Sequence, residues 1–138
     1  MLRPNNTKYR KSNKGRNNVK VELKANQLKF GMYGLQALEK GDITARQIEA
    51  VRRTITGFTK RTTKIWIRIF PDLPITRKPT EVRMGKGKGN VSHWVARVKP
   101  GRILYEVSGG NIKLLKDALK LATNKLPIHV KIIKRKNI

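Results

Sequence analysis

The sequence predicts an α+β domain in which an antiparallel or mixed sheet is packed by two helices. Two segments, residues 44–60 and 111–125, have the apolar period of amphipathic helices, and five others have the patterns of strands. They follow one another without an internal repeat or a second linker. We therefore expect one domain over residues 25–138, with a basic extended N-terminal arm over residues 1–24 and a long projecting loop over residues 75–90.

The arm is predicted to stay extended until a partner orders it. Residues 1–20 contain no acidic residue and too few large apolar side chains to bury a core of their own. Tyr9 stands among cations, an arrangement that suits base stacking beside phosphate contacts. A solvated tail and a cleavable organellar presequence are the alternatives, although a presequence has an apolar face that this segment lacks. The arm cations predicted to bind nucleic acid are Arg3, Lys8, Arg10, Lys11, Lys14 and Arg16.

One strand is predicted before the first helix and one after it. Apolar residues alternate over residues 28–38, with a bulge or bend expected at Gly34. Gly41 and Asp42 then predict a turn. After the helix, residues 64–70 have isoleucines on one face and large or aromatic residues on the other, so both faces of this strand are expected to be largely covered.

The first helix, residues 44–60, has the clearest signature in the chain. Thr44 and Gln47 match a capping box at its start. Glu49 is spaced to pair with Arg53 four residues later. The apolar stripe expected to face the core is Ile48, Val51, Ile55 and Phe58. The opposite face carries cations that form either an ordinary solvated face or, as we predict, phosphate contacts: Arg46, Arg53 and Lys60.

The loop over residues 75–90 alternates glycine with lysine at its centre. Glycine tolerates positive φ and lets the backbone approach another surface, so exposed N–H groups and flanking cations suit phosphate. A flexible, solvated tip is the alternative. A strand rather than a helix is predicted to follow, which excludes a Walker A motif and a dinucleotide fingerprint. The loop residues predicted to be functional are Arg83, Met84, Gly85, Lys86, Gly87, Lys88 and Gly89.

Two strands, residues 91–99 and 103–107, are predicted to form a hairpin. Pro100 and Gly101 occupy the second and third positions of a type II turn between them. The second helix, residues 111–125, follows. Its expected core stripe is Ile112, Leu115, Ala118, Leu119 and Ala122. The chain then predicts a last strand and a short basic tail, residues 128–132 and 134–136.

The net charge restricts the class of partner. Thirty-three lysine and arginine residues face eight acidic residues, for a formal net charge of +25. Such a charge repels itself in a compact domain, so it indicates a polyanionic partner, with nucleic acid first and an acidic membrane surface second. No apolar run approaches the ~20 residues of a membrane-spanning helix. The absence of cysteine excludes disulfides, thiol chemistry and cysteine-bound zinc.

Catalysis has little support in the sequence. His93 and His129 are far apart, with no acidic residue at metal-ligand spacing, and each lies in a predicted strand. We expect both to be satisfied structural histidines, with RNA contact as the alternative for His93 beside Trp94. The eight carboxylates are scattered. We therefore predict no enzymatic activity, no metal site and no cofactor.

Several motifs lie in order along nearly the whole chain: Thr7–Lys11, Lys14–Arg16, Thr44–Ala50, Ile65–Asp72, Arg83–Gly89, Lys99–Glu106 and Lys125–Ile128. Together they resemble the bacterial-type ribosomal protein L-sixteen family of the large subunit. Because the motifs are long and share one order, the resemblance is far more specific than a single glycine-lysine loop. The chain departs from the family's usual residues at Asn5, Asn6, Leu73 and Asn111.

The resemblance implies a structural protein that binds large-subunit ribosomal RNA near the A-site and P-site tRNA. It implies a role in subunit maturation and in positioning A-site tRNA, without catalysis of peptide-bond formation. The implied partners are rRNA, tRNA and neighbouring ribosomal proteins, with one copy per ribosome and no membrane. The loop from Arg83 to Gly89 is implied to reach the tRNA. The rRNA contacts would be the arm cations named above together with Arg46, Arg53, Lys60, Arg61, Lys64 and Lys78.

The sequence is compatible with more than one cellular compartment and with one alternative function. The abundance of asparagine, lysine and isoleucine, and a family motif that begins almost at Met1, suggest a gene within an organelle, mitochondrion first and plastid second, or an AT-rich bacterium whose cytoplasm holds the protein. The alternative function is a general polyanion binder of the nucleoid or a membrane surface. Purely electrostatic binding of that kind falls steeply with salt, whereas a specific complex is retained.

Overall fold

The structure, a computed structural model, describes residues 2–16 and 20–135. It confirms the α+β class. The described residues form two helices and seven strands, which are β1 (Tyr33–Ala37), β2 (Gly41–Thr44), α1 (Ala45–Phe58), β3 (Lys64–Ile67), β4 (Leu73–Arg77), β5 (Asn90–Val98), β6 (Ile103–Ser108), α2 (Ile112–Thr123) and β7 (Val130–Lys134). Neither helix is long and apolar enough to cross a membrane.

The strands divide into two antiparallel sheets rather than one. The larger sheet has the order β3-β6-β1-β7 and the smaller one the order β2-β5-β4. In the larger sheet Tyr33 of β1 lies opposite Val107 of β6 and Lys134 of β7. In the smaller sheet Ile43 of β2 lies opposite Ala96 of β5. The chain passes from one sheet to the other four times, after β1, β2, β3 and β5.

A single apolar core joins the helices to the sheets. The helices α1 and α2 pack against each other, and their buried stripes meet the inner faces of β1 and β6. Tyr105 lies in this core with its hydroxyl donating to the carbonyl oxygen of Ile48 at 2.9 Å, which satisfies the one polar atom of its side chain. Burial raises the pKa of the Tyr105 hydroxyl, so this group remains a neutral donor.

The start of α1 agrees with the sequence in detail. The Gln47 N–H donates to Thr44 Oγ1 at 3.2 Å, and the Thr44 N–H donates to Gln47 Oε1 at 2.9 Å, which completes the capping box. The expected pair between Glu49 and Arg53 is also present, at 3.1 Å. Arg52 binds the same carboxylate at 2.6 Å, a contact that the sequence analysis did not anticipate.

Each helix has one apolar residue that the predicted stripe placed in the core wrongly. Phe58 is 40% exposed and Ile112 is 54% exposed. Phe58 is the last residue of α1 and Ile112 the first of α2, so both extend beyond the part of the helix that is covered by the opposite layer. The other predicted stripe residues, Ile48, Val51, Ile55, Leu115, Ala118, Leu119 and Ala122, are buried as expected.

The first strand is shorter than predicted, and the expected turn after it is a strand. Residues 28–32 lie beside β6 without joining the ladder as a strand, and β1 begins only at Tyr33. The bulge lies between Leu35 and Gln36, not at Gly34. At Gly34 the strands β1 and β6 lie so close together that an added Cβ would stand 2.6 Å from the carbonyl oxygen of Tyr105. Residues 41–44 form β2, since this segment finds a partner in β5, which sequence alone did not reveal.

The predicted hairpin between residues 91–99 and 103–107 is also wrong. The type II turn itself agrees with the structure, because Gly101 has φ of +89° and the Arg102 N–H donates to the Lys99 carbonyl oxygen at 3.2 Å. However, β5 pairs with β2 and β4, whereas β6 pairs with β1 and β3. The turn therefore connects two sheets instead of closing a hairpin.

Three further boundaries differ from the sequence-based expectation. The strand predicted over residues 64–70 ends at Ile67. The long loop is shorter than the predicted residues 75–90, because β4, with a proline at position 74, occupies residues 73–77. Proline is tolerated there because β4 is the edge strand of its sheet. The last strand covers Val130–Lys134 instead of residues 128–132, so it includes the first residue of the predicted basic tail. Position 136 of that tail lies outside the described residues.

Candidate nucleic-acid interface

The glycine-lysine loop is an exposed turn of left-handed residues. Gly85, Lys86 and Gly87 have φ of +95°, +54° and +86° in succession. Positive φ is characteristic of the turns from which phosphate-binding loops are built. Met84 at the tip is 95% exposed. The ammonium group of Lys78 donates to the Gly85 carbonyl oxygen and ties the tip to its base.

The arm lies against this loop. Lys11 Nζ donates to the Lys88 carbonyl oxygen at 2.9 Å, and Lys88 Nζ donates to the Ser12 carbonyl oxygen at 2.5 Å. The Arg97 guanidinium of β5 donates to the Lys14 carbonyl oxygen at 2.6 Å. We call these contacts the arm–loop clasp. Two basic segments that lie more than 70 residues apart in the sequence thus form one surface, held by backbone carbonyls instead of acidic side chains.

A groove of about 680 Å³ lies where the arm meets the start of α1 and β5. We call it the arm groove. Its charged lining comes from Arg3 and Arg10 of the arm and from Arg46 of α1, and its aromatic lining from His93 and Trp94 of β5. No acidic residue is among the residues that line it. None of the three arginines has an ion-pair or hydrogen-bond partner within residues 2–16 and 20–135, so their charges are uncompensated there.

Other predicted cations lie away from the groove, around the far end of α1. Arg46 and Phe58, near the two ends of α1, are about 18 Å apart along the axis because the helix rises about 1.5 Å per residue. Lys60 and Arg61 follow the helix in left-handed conformations, with φ of +48° and +63°. Lys64 begins β3, with Nζ 5.3 Å from the centre of the Trp66 ring. The fold therefore divides the predicted cations between two surfaces.

Among the described residues, Arg53 is the only predicted rRNA contact that pairs with a carboxylate. Hydrogen bonds from Arg52, and then from Arg53, lower the pKa of Glu49 to about 2 despite some desolvation of the carboxyl group. Glu49 is therefore ionised at neutral pH and shared by two guanidinium groups. The Arg53 side chain remains 75% exposed, so it remains accessible to a phosphate while paired.

The expectation that both histidines are satisfied structural residues was wrong. His93 is exposed on β5 and contacts Ser92 Oγ at 3.3 Å through Nδ1. The His129 side chain is 87% exposed and lies 3.4 Å from the Glu39 carboxylate. His93 lies on the solvent-facing side of β5, as the alternation of a strand permits. His129 precedes β7 and does not lie in a strand, contrary to the prediction. Only the position of His93 in the arm groove agrees with the alternative of RNA contact.

Arg97 is a site residue that sequence reasoning missed. It pairs with Asp42 of β2 at 3.2 Å and holds the arm at Lys14. The feature that could have revealed Arg97 is its position between Ala96 and Val98, which are both core residues of β5. A charge that alternates with core positions marks the outer face of a strand, where the arm lies. No group of acidic or histidine residues suitable for a metal ion occurs in the part of the chain that the structure describes.

Comparison with known proteins identifies the family. The family model for ribosomal protein L16p/L10e matches residues 4–133. The chain belongs to this family. Its relatives include three proteins named large ribosomal subunit protein uL16. That of Psychrobacter arcticus is 56% identical over 135 residues, and that of Stenotrophomonas maltophilia 52% over 135 residues, each covering 98% of both chains. That of Paracoccus denitrificans is 52% identical over 138 residues, covering 99% of both chains.

Membership in the L16p/L10e family confirms the resemblance drawn from the motifs. It also confirms that the chain is a ribosomal structural protein and not an enzyme. The expectation of an organellar gene finds no support in these relatives, which are bacterial. An abundance of asparagine, lysine and isoleucine reflects base composition, which AT-rich bacteria and organelles share, so it did not separate the two.

Proposed function

We propose that this L16p/L10e protein is a constituent of the large ribosomal subunit that binds its rRNA and contacts A-site and P-site tRNA near the peptidyl-transferase region. In this role it supports subunit assembly and translation. The relatives are named as large-subunit proteins, which supports the assignment of this chain to the large subunit. The observation that carries the proposal is the arm–loop clasp, because it joins the two basic segments of the chain into one extension beside the folded core.

The physical basis is the exchange of counterions for fixed cations. Ribosomal RNA is dense in phosphate, and each phosphate contact releases bound counterions, which contributes favourable entropy. Extended arms and glycine-rich tips enter crevices that a rounded domain cannot. The core, with its rigid sheets, then serves to aim the arm and the loop. With only eight acidic residues in the chain, little internal charge competes with RNA.

The loop and the other predicted cations bind different RNAs in this proposal. The loop from Arg83 to Gly89 reaches tRNA, since residues 81–88 are all exposed. The rRNA is held by the arm cations with Arg46 and by the cations near the far end of α1. Of these, Lys11 and Lys78 are half-buried because their ammonium groups bind loop carbonyls. The others are exposed, namely Arg3, Lys8, Arg10, Lys14, Arg16, Arg46, Arg53, Lys60, Arg61 and Lys64.

One copy per ribosome, with rRNA, tRNA and neighbouring ribosomal proteins as partners, completes the proposal. The bacterial relatives favour the ribosomes of a bacterial cytoplasm as its location. A general polyanion binder has no comparable support, because its charge needs no particular sequence, whereas these relatives share about half of their residues with the chain over almost its full length.

Ultraviolet crosslinking in the native cells, followed by sequencing of the attached RNA, tests the proposal. We expect reads at a few sites of large-subunit rRNA and fewer reads on tRNA. The variant Lys86→Ala/Lys88→Ala should lose the tRNA reads and keep the rRNA reads. The control Lys113→Ala/Lys120→Ala removes the same charge from exposed positions of α2 and should keep both. Reads scattered over many transcripts or DNA would instead indicate a general polyanion binder.

A further inference from the structure

The arm groove has properties that a plain phosphate-binding surface does not need. Three arginines reach it from two separate segments of the chain, and none of them is neutralised by a carboxylate among the described residues. Holding three like charges around one concavity costs electrostatic energy unless an anion occupies it. The groove therefore has the charge pattern of a site that is completed by its ligand.

The shape of the groove restricts the form of that anion. Its volume of about 680 Å³ is within the range of sites that enclose small ligands. A duplex presents its phosphates on a convex surface, so its backbone would lie across such a groove without filling it. A nucleotide that has left its stack carries the phosphate, sugar and base together and is small enough to enter it. Single-stranded, unstacked nucleotides are also the usual targets of proteins on RNA.

The aromatic lining is suited to the base of such a nucleotide. Trp94 and His93 are adjacent on β5, and Leu2 and Val91 add apolar surface. Every base has a flat π face, so an aromatic side chain stabilises it by stacking without regard to sequence. The arginines account for the phosphate, and the tryptophan beside them offers a flat apolar face for the base.

We propose that the arm groove holds a single unpaired nucleotide of RNA, with its phosphate on Arg3, Arg10 and Arg46 and its base against Trp94. This inference rests on the proposed RNA-binding function and specifies the form of RNA at one site. It also explains the position of the arm. Because Arg3 and Arg10 come from the arm and Arg46 from α1, the site exists only while the arm is folded back on the domain.

Tryptophan fluorescence provides a direct readout of this site. The chain has two tryptophans, so Trp66→Phe leaves Trp94 as the only reporter in the full-length protein. Phenylalanine at position 66 retains an aromatic ring to face Phe30, which stacks on Trp66 with the ring centres 6.1 Å apart. The probes are a single-stranded hexaribonucleotide and a blunt RNA duplex of the same sequence and length. We expect saturable quenching of Trp94 by the single strand and little quenching by the duplex.

Two variants then separate the phosphate from the base. Arg46→Ala should weaken binding of the labelled hexamer about 10-fold or more, the usual effect of losing a hydrogen bond to a charged group. Trp94→Leu should weaken it between about 5-fold and 150-fold, the range for base stacking. The control Lys120→Ala removes one charge from exposed α2 and should leave the affinity unchanged within error.

The outcomes distinguish this inference from the function on which it rests. Equal quenching by the duplex, or an affinity that falls for Arg46→Ala but not for Trp94→Leu, would show a phosphate surface without a base site and would overturn the inference. If Trp94 is not quenched while the protein still sediments with large subunits, the nucleotide site is wrong and the ribosomal role is intact. If the protein does not enter large subunits, the proposed function itself is wrong.

Discussion

The backbone N–H of Gly31 donates at 2.8 Å to Oε2 of Glu106, a fully buried carboxylate. The N–H groups of Phe30 and Lys29 donate to the same oxygen at 2.7 and 3.0 Å, and Arg68 binds the other oxygen. Through these hydrogen bonds the carboxylate on β6 holds residues 29–31 against the sheet. A side chain at Gly31 would collide with the backbone of Val107 at 2.7 Å.

Replacing Glu106 with glutamine should destabilise the whole domain. The substitution keeps the shape but removes the charge that faces Arg68 and three N–H donors. Removing one partner of a buried pair costs about 3–5 kcal/mol, because the other partner is left uncompensated. Denaturant unfolding of the full chain measures this. Glu81→Gln, at an exposed loop carboxylate, is the matched control and should change the free energy of unfolding by less than about 0.5 kcal/mol. A loss below about 1 kcal/mol for Glu106→Gln would contradict this account.

The stability of the wild-type chain should fall in acid partly through Glu106. Burial alone would raise the pKa of this carboxyl group, but the N–H donors of Gly31 and Phe30 and the Arg68 guanidinium outweigh it and lower the pKa below its usual value. The ionised form therefore stabilises the fold above the unfolded-state pKa of about 4.3, and this contribution is lost as the pH falls through the lower folded-state pKa. Unfolding curves between neutral pH and pH 2 should show a shallower decline for Glu106→Gln. Glu49 has a lowered pKa as well, but it is present in both proteins and cancels in the difference. Parallel curves would contradict the prediction.

Two glycine-to-alanine changes should have opposite effects. A Cβ at Gly89 would stand 2.7 Å from the Arg77 carbonyl oxygen, a backbone atom at the end of β4, so Gly89→Ala should cost about 1–3 kcal/mol through displacement of the strand. At Gly57, within α1, nothing lies within 4 Å of the added Cβ. Gly57→Ala should therefore stabilise the chain by about 0.5–1 kcal/mol, because glycine is a poor helix former. Thermal melts of both variants test this, and a lower melting temperature for Gly57→Ala would be inconsistent with it.

The arm–loop clasp should be detectable by proteolysis. Lys11→Ala removes the bond to the Lys88 carbonyl oxygen, and Lys88→Ala removes the bond to Ser12. An exposed hydrogen bond contributes about 0.5–1.5 kcal/mol, so chymotrypsin should cleave after Tyr9 about 2- to 10-fold faster in either variant. Lys86→Ala, from the same loop, should leave the rate unchanged. Equal rates in all three variants would mean that the clasp does not restrain the arm.

The loop cations should affect tRNA more than folding. Lys86→Ala/Lys88→Ala should melt at nearly the temperature of the wild type, because residues 81–88 lie outside the core. Large subunits that carry this variant should form at normal yield but bind A-site tRNA more weakly, in filter-binding assays with purified ribosomes. Lys113→Ala/Lys120→Ala is the control of equal charge. A double variant that is unfolded in isolation would contradict the assignment of the loop to the surface.

The sequence predicted those elements whose signals are local. The capping box of Thr44 and Gln47, the stripe of α1 and the type II turn at Gly101 each depend on residues a few positions apart. The family motifs and the charge likewise needed no structure. The failures were of another kind, because β2 and β4 are short, contain glycine or proline, and become strands only where β5 pairs with them.

The candidate site shows the same division. Composition and motif order were enough to identify a basic ribosomal protein and to predict a functional arm and loop. Only the tertiary structure showed that Lys11 meets Lys88 and that Arg3 and Arg46 share one groove with Trp94. It also showed that Lys60 lies on a different surface, although in the sequence it is a basic residue like Arg3 and Arg46. The physical reason is that a charge pattern determines the kind of partner, whereas the register between distant segments determines which charges act together.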